Sequence, residues 1–351
     1  MKPEKSASKR ISIVTIVFLL VALLGADQVI GQPYTNTVSV RPVVMKIVND
    51  ISKVGRFEDK LIGYAGEKSK QWSRFEKLNQ IAESVELRAL TQYNNVVVRC
   101  YAFHGLALRK DTAVFPILLS HLRDTALVEG ISFDLGWAEK AGDYFIDVVT
   151  TTEVDLKTYK LNTLQKEKLD SILLYDKQVV LQAKNELLAN LKPKAKNYDR
   201  VGEIAVTENN SIAVVALARY KNPNDLNIIN DYLEKKETQH DAVYAVREFP
   251  DAKFYPRLVQ IFEREWALKA YDYPLWRILY QALAKYPTPQ TLALFERTAR
   301  TDDKFRYQTL GEYLIIALTR YPNPMFDKVK NKIKLDNFRL EEVSQEMNSE
   351  K

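Results

Sequence analysis

A cysteine and two histidines in the first third of the chain have types and spacing that could do chemistry. Cys100 and His104 lie four positions apart, so they share one face if this stretch is helical, and His121 follows on the next predicted helix. Such a group could bind a metal ion, or an imidazole could activate the thiolate. A third and a fourth ligand are not evident. We therefore prefer a structural interpretation, with Cys100 as a small buried apolar residue and His104 as a partly exposed helix residue, and no metal site is predicted.

Two carboxylates in the middle of the chain form a second candidate group. Asp143 and Asp147 lie four positions apart. They could act as general acid and base or bind a cation. The same spacing is typical of a solvated acidic helix face, which is the interpretation we prefer. These residues also support an alternative: the protein is an enzyme or binds a small ligand, and its site is formed by residues 125–160. That site would use both carboxylates and His121.

Aromatic side chains are concentrated between residues 266 and 286, beside several basic residues. This mixture is typical of anchors at protein interfaces and of surfaces that stack on carbohydrate. Core packing will use some of these rings, whereas Tyr271 and Tyr273 precede Pro274 in a predicted loop where exposure is expected. The sequence therefore predicts a partner-binding surface from five residues: Trp266, Tyr271, Tyr273, Trp276 and Arg277.

The composition argues against several other kinds of site. The 351 residues include only 11 Gly, three His and one Cys, which leaves little material for glycine-rich phosphate loops, multi-imidazole sites or disulfides. The sequence contains no nucleophile elbow, phosphate loop or paired zinc-binding motif. We therefore predict no catalytic residue and no cofactor. The net charge of +6 is spread along the chain, so nucleic acid is not expected as a partner.

An internal repeat in the C-terminal half indicates which elements position these residues. Each copy has an Ala four positions before an aromatic residue, and the aromatics are 29, 37 and 35 residues apart, the period of stacked two-helix repeats. Ala and the ring lie on one helical face, where a neighbouring helix can approach closely, and a proline after the ring ends the helix. The copies are ALARYKNP (216–223), AVREFPDA (245–252), ALAKYPTP (282–289) and ALTRYPNP (317–324).

A more degenerate copy between residues 94 and 124 carries a family resemblance. The run V-V-R-x-x-A-x-x-x-L from Val97 to Leu106, followed by a short turn and a second helix ending at Asp124, resembles a HEAT-type repeat of the armadillo-related α-solenoid family. That resemblance implies stacked antiparallel helix pairs and a scaffold that binds partners on one face.

The fold class predicted for the chain is therefore all-α, an α-solenoid of stacked antiparallel helix pairs. Residues 57–92 read as two helices, and residues 142–151 are the only stretch that could form a strand, with a buried helix end as the alternative. The predicted organisation follows chain order: a signal peptide over 1–31, an N-terminal helical block over 32–124 that ends in the HEAT-like repeat, an irregular, mostly helical bridge over 125–210, C-terminal helical repeats over 211–335, and a polar tail over 336–351.

The N-terminal segment has the layout of a secretory signal peptide. A short basic flank precedes about 15 apolar residues, fewer than the roughly 20 that a membrane-spanning helix needs. We expect cleavage before Gln32, export to the periplasm or the exterior, and no stable membrane span afterwards. The alternative is an anchor formed by an uncleaved N-terminal helix.

Taken together, these features favour a non-enzymatic, exported helical-repeat scaffold that binds a protein partner in the bacterial cell envelope. A lid or accessory subunit of an envelope complex is a further possibility. The step from repeat architecture to binding is an analogy, because fold alone does not determine function.

Overall fold

The computed structural model of the chain describes residues 39–151, 157–268 and 271–349. Helices account for 68% of the structure, but a four-stranded mixed sheet is also present. The prediction of an all-α solenoid is therefore wrong, because two hairpins in the N-terminal part pair into one sheet. The chain divides into two compact units. Unit 1 contains the described residues up to Leu169 together with Gln178–Leu181, and unit 2 contains Asp170–Lys177 and the described residues from Gln182 onward.

Unit 1 combines short helices with the sheet. Its elements in chain order are α1 (Pro42–Val54), β1 (Phe57–Ile62), β2 (Glu67–Lys68), α2 (Lys70–Ile81), α3 (Ser84–Leu90), α4 (Val96–Leu108), α5 (Val114–Ser120), β3 (Leu127–Phe133), β4 (Leu135–Lys140) and α6 (Ala141–Thr150). Helix α7 (Thr163–Tyr175) follows in the chain. Side chains accept hydrogen bonds at several helix starts, as Ser69 does at α2 and Asn95 at α4.

The strand order in the sheet is β2-β1-β3-β4. Strands β1 and β3 are parallel, with Phe57 opposite Gly130, whereas each hairpin pairs internally in the antiparallel sense. Residues 57–68, predicted as helix, instead turn back at Gly63 and Gly66, which both adopt positive φ. Glycine adopts this conformation without a steric penalty, so these two residues set the first hairpin.

Aromatic rings join the sheet of unit 1 to its helices. Tyr101 of α4 stacks on Phe57 of β1 with centroids 4.3 Å apart and on Phe75 of α2 at 5.0 Å. The Tyr101 hydroxyl also donates to the carbonyl of Glu58 at 2.8 Å and accepts from its N–H at 3.0 Å. The buried phenol therefore contributes apolar packing and satisfies two backbone groups of β1.

Unit 2 is built from helices that pack in chain order. They are α8 (Gln182–Asn190), α9 (Tyr198–Thr207), α10 (Ser211–Ala218), α11 (Leu226–Glu234), α12 (Gln239–Glu248), α13 (Tyr255–Ala267), α14 (Tyr273–Leu283), α15 (Pro289–Ala299), α16 (Lys304–Arg320), α17 (Asp327–Lys332) and α18 (Asn337–Ser349). Helices α10, α12, α14, α16 and α18 form a row in which each packs on the next. One continuous apolar core runs through this unit.

The four repeated turns have a common construction. Each joins two helices, and the residue two positions after the repeat aromatic accepts a hydrogen bond from a backbone N–H two or three residues later. This side-chain bond replaces a missing helical partner and starts the next helix. The residues in this position are Asn222, Asp251, Thr288 and Asn323.

The repeat aromatics also join neighbouring turns. The Tyr286 hydroxyl donates to the carbonyl of Asp251 at 2.9 Å and accepts from its N–H at 3.1 Å. The Tyr220 hydroxyl donates to the carbonyl of Lys194 at 3.1 Å. The ring that fills the space between helices therefore links each of these turns to the one before it.

Three other stretches of the chain are helical in the structure. Residues 142–151, the one predicted strand candidate, lie mostly within α6, so the helical alternative is correct. Within the predicted bridge over 125–210, residues 161–191 contain the two helices α7 and α8. The polar tail forms helix α18 over Asn337–Ser349.

The predicted signal peptide over residues 1–31 and the cleavage position before Gln32 lie outside the described residues. Within the ranges that are described, no helix combines the length and the apolar character needed to cross a membrane.

Candidate functional site

A cleft of about 430 Å³ lies on unit 2, where α12, α14, α16 and α18 present side chains. We call it the arginine–tyrosine cleft after the six residues that dominate its lining: Tyr244, Arg247, Tyr273, Arg277, Tyr313 and Arg320. His240, Pro274, Ile278, Gln281 and Glu346 complete it. Its volume falls in the range of small binding pockets.

Corresponding positions of successive repeats line the cleft. His240 and Arg277 each lie five residues before a repeat alanine, and Tyr244 and Gln281 each lie one residue before it. Positions with the same offset fall on the same face of successive helices, so stacking brings them together. Reading the repeat for its variable positions, in addition to the Ala and the aromatic, could have identified these residues from the sequence.

Arg247 is held in one orientation by three neighbours. Its guanidinium carbon lies 3.9 Å from the centroid of the Tyr244 ring. One terminal nitrogen donates to Gln281 Oε1 at 2.7 Å, and the other donates to Glu248 Oε1 at 2.7 Å. A cation held over an aromatic face and bound by two further groups is preorganised, so little side-chain entropy is left to lose on binding.

Arg277 and Arg320 share one carboxylate. Glu346 of α18 places Oε2 at 3.1 Å from Arg277 Nη2 and Oε1 at 3.1 Å from Arg320 Nη2. Arg277 also lies 5.1 Å from the centroid of the Tyr313 ring. The Arg277 side chain is 44% exposed, compared with 11% for Arg320. Arg277 is therefore the accessible member of the pair.

Three of the charged side chains in the cleft, the arginines, keep their charge over the whole physiological pH range. Guanidinium groups do not lose their proton in proteins. Burial raises the pKa of Tyr313, so its phenol stays neutral. A hydrogen bond to Asp241 raises the pKa of His240 at the edge of the cleft. The cleft thus presents three permanently positive guanidinium groups beside the neutral phenol of Tyr313, an arrangement that binds anionic groups.

No protein-family model, curated protein or solved structure matches this chain. The HEAT-type resemblance accordingly stays a prediction from the sequence.

The five residues predicted as a partner surface lie in three different environments. Tyr273 and Arg277 line the arginine–tyrosine cleft. Trp276, which directly precedes Arg277 on α14, is fully buried against Phe262, with ring centroids 5.1 Å apart. Its position in the core follows from helical geometry, because residues 273, 276 and 277 lie at different angles around α14.

Trp266 and Tyr271 lie outside the cleft. The Trp266 ring is half-buried, and the guanidinium carbons of Arg306 and Arg297 lie 4.2 Å and 4.7 Å from its centroid. The ring lines a second cleft of about 490 Å³. Tyr271 is 48% exposed, and its ring lies 6.0 Å from that of Tyr273 and 5.8 Å from that of Phe305. Exposed aromatic surface therefore continues outward from the cleft.

Cys100, His104 and His121 are all buried in unit 1. Burial raises the pKa of the Cys100 thiol, which disfavours the reactive thiolate. The prediction of a partly exposed His104 is wrong, since this residue is 1% exposed and its Nδ1 lies 2.8 Å from the Tyr144 hydroxyl. In the described ranges, no three His, Cys, Asp or Glu side chains are grouped as a metal site would require.

The alternative site over residues 125–160 is divided between strand and helix. Residues 127–140 form the β3–β4 hairpin, and Asp143 and Asp147 follow on α6. Asp143 is buried, so the solvated acidic helix face predicted there is wrong for this residue. His121 is held by Gln92 at 2.8 Å and by Asp124 at 3.3 Å. The His121 ring also packs on Phe145 of α6, with centroids 4.8 Å apart.

Proposed function

We propose that this protein is a non-enzymatic scaffold that binds a partner protein through the arginine–tyrosine cleft of unit 2. The observation that carries the proposal is the convergence of three arginines and three tyrosines from three successive helices of one row. Arginine and tyrosine are enriched among the residues that dominate protein–protein binding energy. Because they stand on packed helices, their positions are fixed before a partner arrives.

The chemistry of the three arginines and of Tyr313 supports binding over proton transfer. Arg247, Arg277 and Arg320 keep their charge throughout the physiological range, so none can serve as a general acid or base. The raised pKa of Tyr313 likewise keeps its phenol protonated. Groups of this kind orient and hold a charged ligand without exchanging protons with it.

The surroundings of the cleft support a protein as the ligand. Tyr273 in the cleft, Tyr271 beside it and Phe305 beyond form a strip of neighbouring rings, and the last two are 48% and 53% exposed. Aromatic side chains displayed next to a charged pocket are typical of the anchor region of a protein interface.

Photo-crosslinking tests this proposal. We would place a photoreactive amino acid at Phe305 in the full chain and irradiate living cells. We expect an adduct with one defined protein, and we expect Arg277→Ala to reduce it at least about tenfold. Tyr64, which is 97% exposed on unit 1, supplies the control variant Tyr64→Ala, which should leave the adduct unchanged. An adduct that survives Arg277→Ala would contradict the proposal.

The location of this binding is part of the same proposal. The basic and apolar pattern of the N-terminal segment supports export by a signal peptide, into the periplasm or beyond, and an envelope protein as the partner. N-terminal sequencing of protein purified from the envelope fraction should then give a chain that begins at Gln32. A chain that retains Met1 would contradict export by cleavage.

A further inference from the structure

We infer that Glu346 is an internal substitute for an acidic side chain of the partner, and that helix α18 competes with the partner for the arginine–tyrosine cleft. This inference rests on the proposed function. It identifies the binding segment of the partner as one that carries Asp or Glu, and it makes the C-terminal helix a negative regulator of binding.

The geometry at Glu346 is that of a bound carboxylate. Each of its two oxygens lies 3.1 Å from a different guanidinium group, one on α14 and one at the end of α16. Both contacts are ion pairs at a distance where opposite charges attract in a partly buried site. The site therefore already shows how it receives one carboxylate, in a position that a partner's side chain could take.

The charges that remain without Glu346 favour an anionic replacement. Glu312 lies 3.9 Å from Arg277, but its closer contact is with Arg339 at 2.6 Å. Glu248 is engaged by Arg247 at 2.7 Å. Arg339 lies on α18 itself, so departure of the helix removes Arg339 together with Glu346 and leaves Glu312 beside Arg277. Three arginines of the cleft then face two carboxylates, Glu248 and Glu312, and an acidic segment complements the remaining positive charge.

Helix α18 is held in a way that allows it to leave. None of its residues from 337 to 348 is buried, and Phe338 and Leu340 are 64% and 50% exposed. Its polar attachments include the Arg339 pair with Glu312 and the contacts of Glu346 with the cleft. Elements with little buried apolar surface open at a small fraction of the global free energy of unfolding.

The test uses the full chain and a fluorescein-labelled hexaglutamate peptide as the probe, with binding followed by fluorescence anisotropy at low salt. We expect Glu346→Gln to bind the probe roughly three- to tenfold more tightly than the natural chain, because the internal competitor has been removed. The matched control is Glu341→Gln. It makes the same change in net charge on an exposed residue of α18 whose side chain contacts Gln345.

A double variant, Arg277→Gln with Glu346→Gln, should lose the gain in affinity. Circular dichroism of each variant checks that the helices remain. Equal affinities for Glu346→Gln and Glu341→Gln, with the helical signal intact, would overturn the inference.

The crosslinking result separates the two levels of the proposal. A specific adduct at Phe305 with no gain for Glu346→Gln would leave the proposed function standing and remove the competition by α18. A gain for Glu346→Gln without any adduct would support an anion-binding cleft and contradict the protein partner.

Discussion

Arg99 of unit 1 and Arg277 of unit 2 each pair with a carboxylate from a distant part of the chain, but the two arginines differ in exposure. Arg99 makes two bonds to Asp124, at 2.9 and 3.0 Å, and its side chain is 11% exposed. Arg41 reaches Glu86 in a similar paired geometry. Arg277, by contrast, is 44% exposed and shares its carboxylate with Arg320.

This difference separates ion pairs that stabilise the fold from ion pairs that are available for exchange. A buried carboxylate that loses its arginine is left without compensation for its desolvation. An exposed guanidinium that loses its carboxylate regains water. By this criterion Arg99 stabilises unit 1 and Arg320, also 11% exposed, stabilises unit 2, whereas Arg277 is the arginine of the cleft that is available for exchange.

The comparison is tested most strongly by removing one arginine from each unit. Arg99→Leu should lower the free energy of unfolding of unit 1 by about 2–4 kcal/mol, because Asp124 loses its two hydrogen bonds from a guanidinium group while it stays mostly buried. Arg277→Leu should lower that of unit 2 by less than about 1 kcal/mol. Amide hydrogen exchange of α4 and α14 measures the two values separately. Comparable losses in both units would break the distinction.

Acid should affect the two units differently. Hydrogen bonding to Arg41 lowers the pKa of Glu86 from 4.5 to about 2, so the stability that Glu86 contributes is complete above about pH 4.5 and is lost as the pH falls toward 2. Burial raises the pKa of Glu312 and Asp225, so these groups favour the folded state of unit 2 increasingly as the pH falls. Asp241, whose pKa is lowered, offsets part of this effect in unit 2.

We therefore expect unit 1 to lose on the order of 2 kcal/mol between pH 5 and pH 2.5 from Glu86, and unit 2 to lose less. Hydrogen exchange of α3 and α16 across this range is the measurement. The Glu86→Gln variant is the control, since its unit 1 should show a smaller pH dependence. A steeper loss in unit 2 than in unit 1 would reverse the comparison.

The last comparison concerns one glycine in each unit. A Cβ on Gly130 of β3 would lie 2.1 Å from the Trp137 ring, so Gly130→Ala should destabilise unit 1 by about 1–3 kcal/mol. Gly202 lies inside α9, where the nearest atom would be Leu217 Cδ1 at 3.9 Å. Gly202→Ala should stabilise unit 2 by about 0.5–1 kcal/mol. Thermal melting of both variants checks whether each substitution stabilises or destabilises its unit. A stabilising effect of Gly130→Ala would show that the Trp137 ring is free to move.

Local pattern predicted the helical half of the molecule well. Four turns were expected between pairs of amphipathic helices, and each of them joins two helices in unit 2. The Ala-to-aromatic spacing, the prolines and the capping residue two positions after the ring all act within a few residues of one another. Interactions over such short distances can be read directly from the sequence.

The candidate site was predicted only in part. Tyr273 and Arg277 came from an aromatic and basic cluster, but the same cluster included Trp276, which is fully buried. Composition cannot tell which side of α14 faces the core. Tyr244, Arg247, Tyr313 and Arg320 were missed because they join the site through helix stacking.

The sequence by itself determined the helix pairs of residues 211–333, because their spacing, helix ends and turn residues are local. Only the tertiary structure decided two other features. The first is the parallel pairing of Phe57 with Gly130, which forms a sheet that no local pattern indicated. The second is the contact of Glu346 on α18 with two arginines that lie on α14 and α16. Both depend on segments distant in sequence, whose meeting is fixed by packing of the whole unit and not by local propensity.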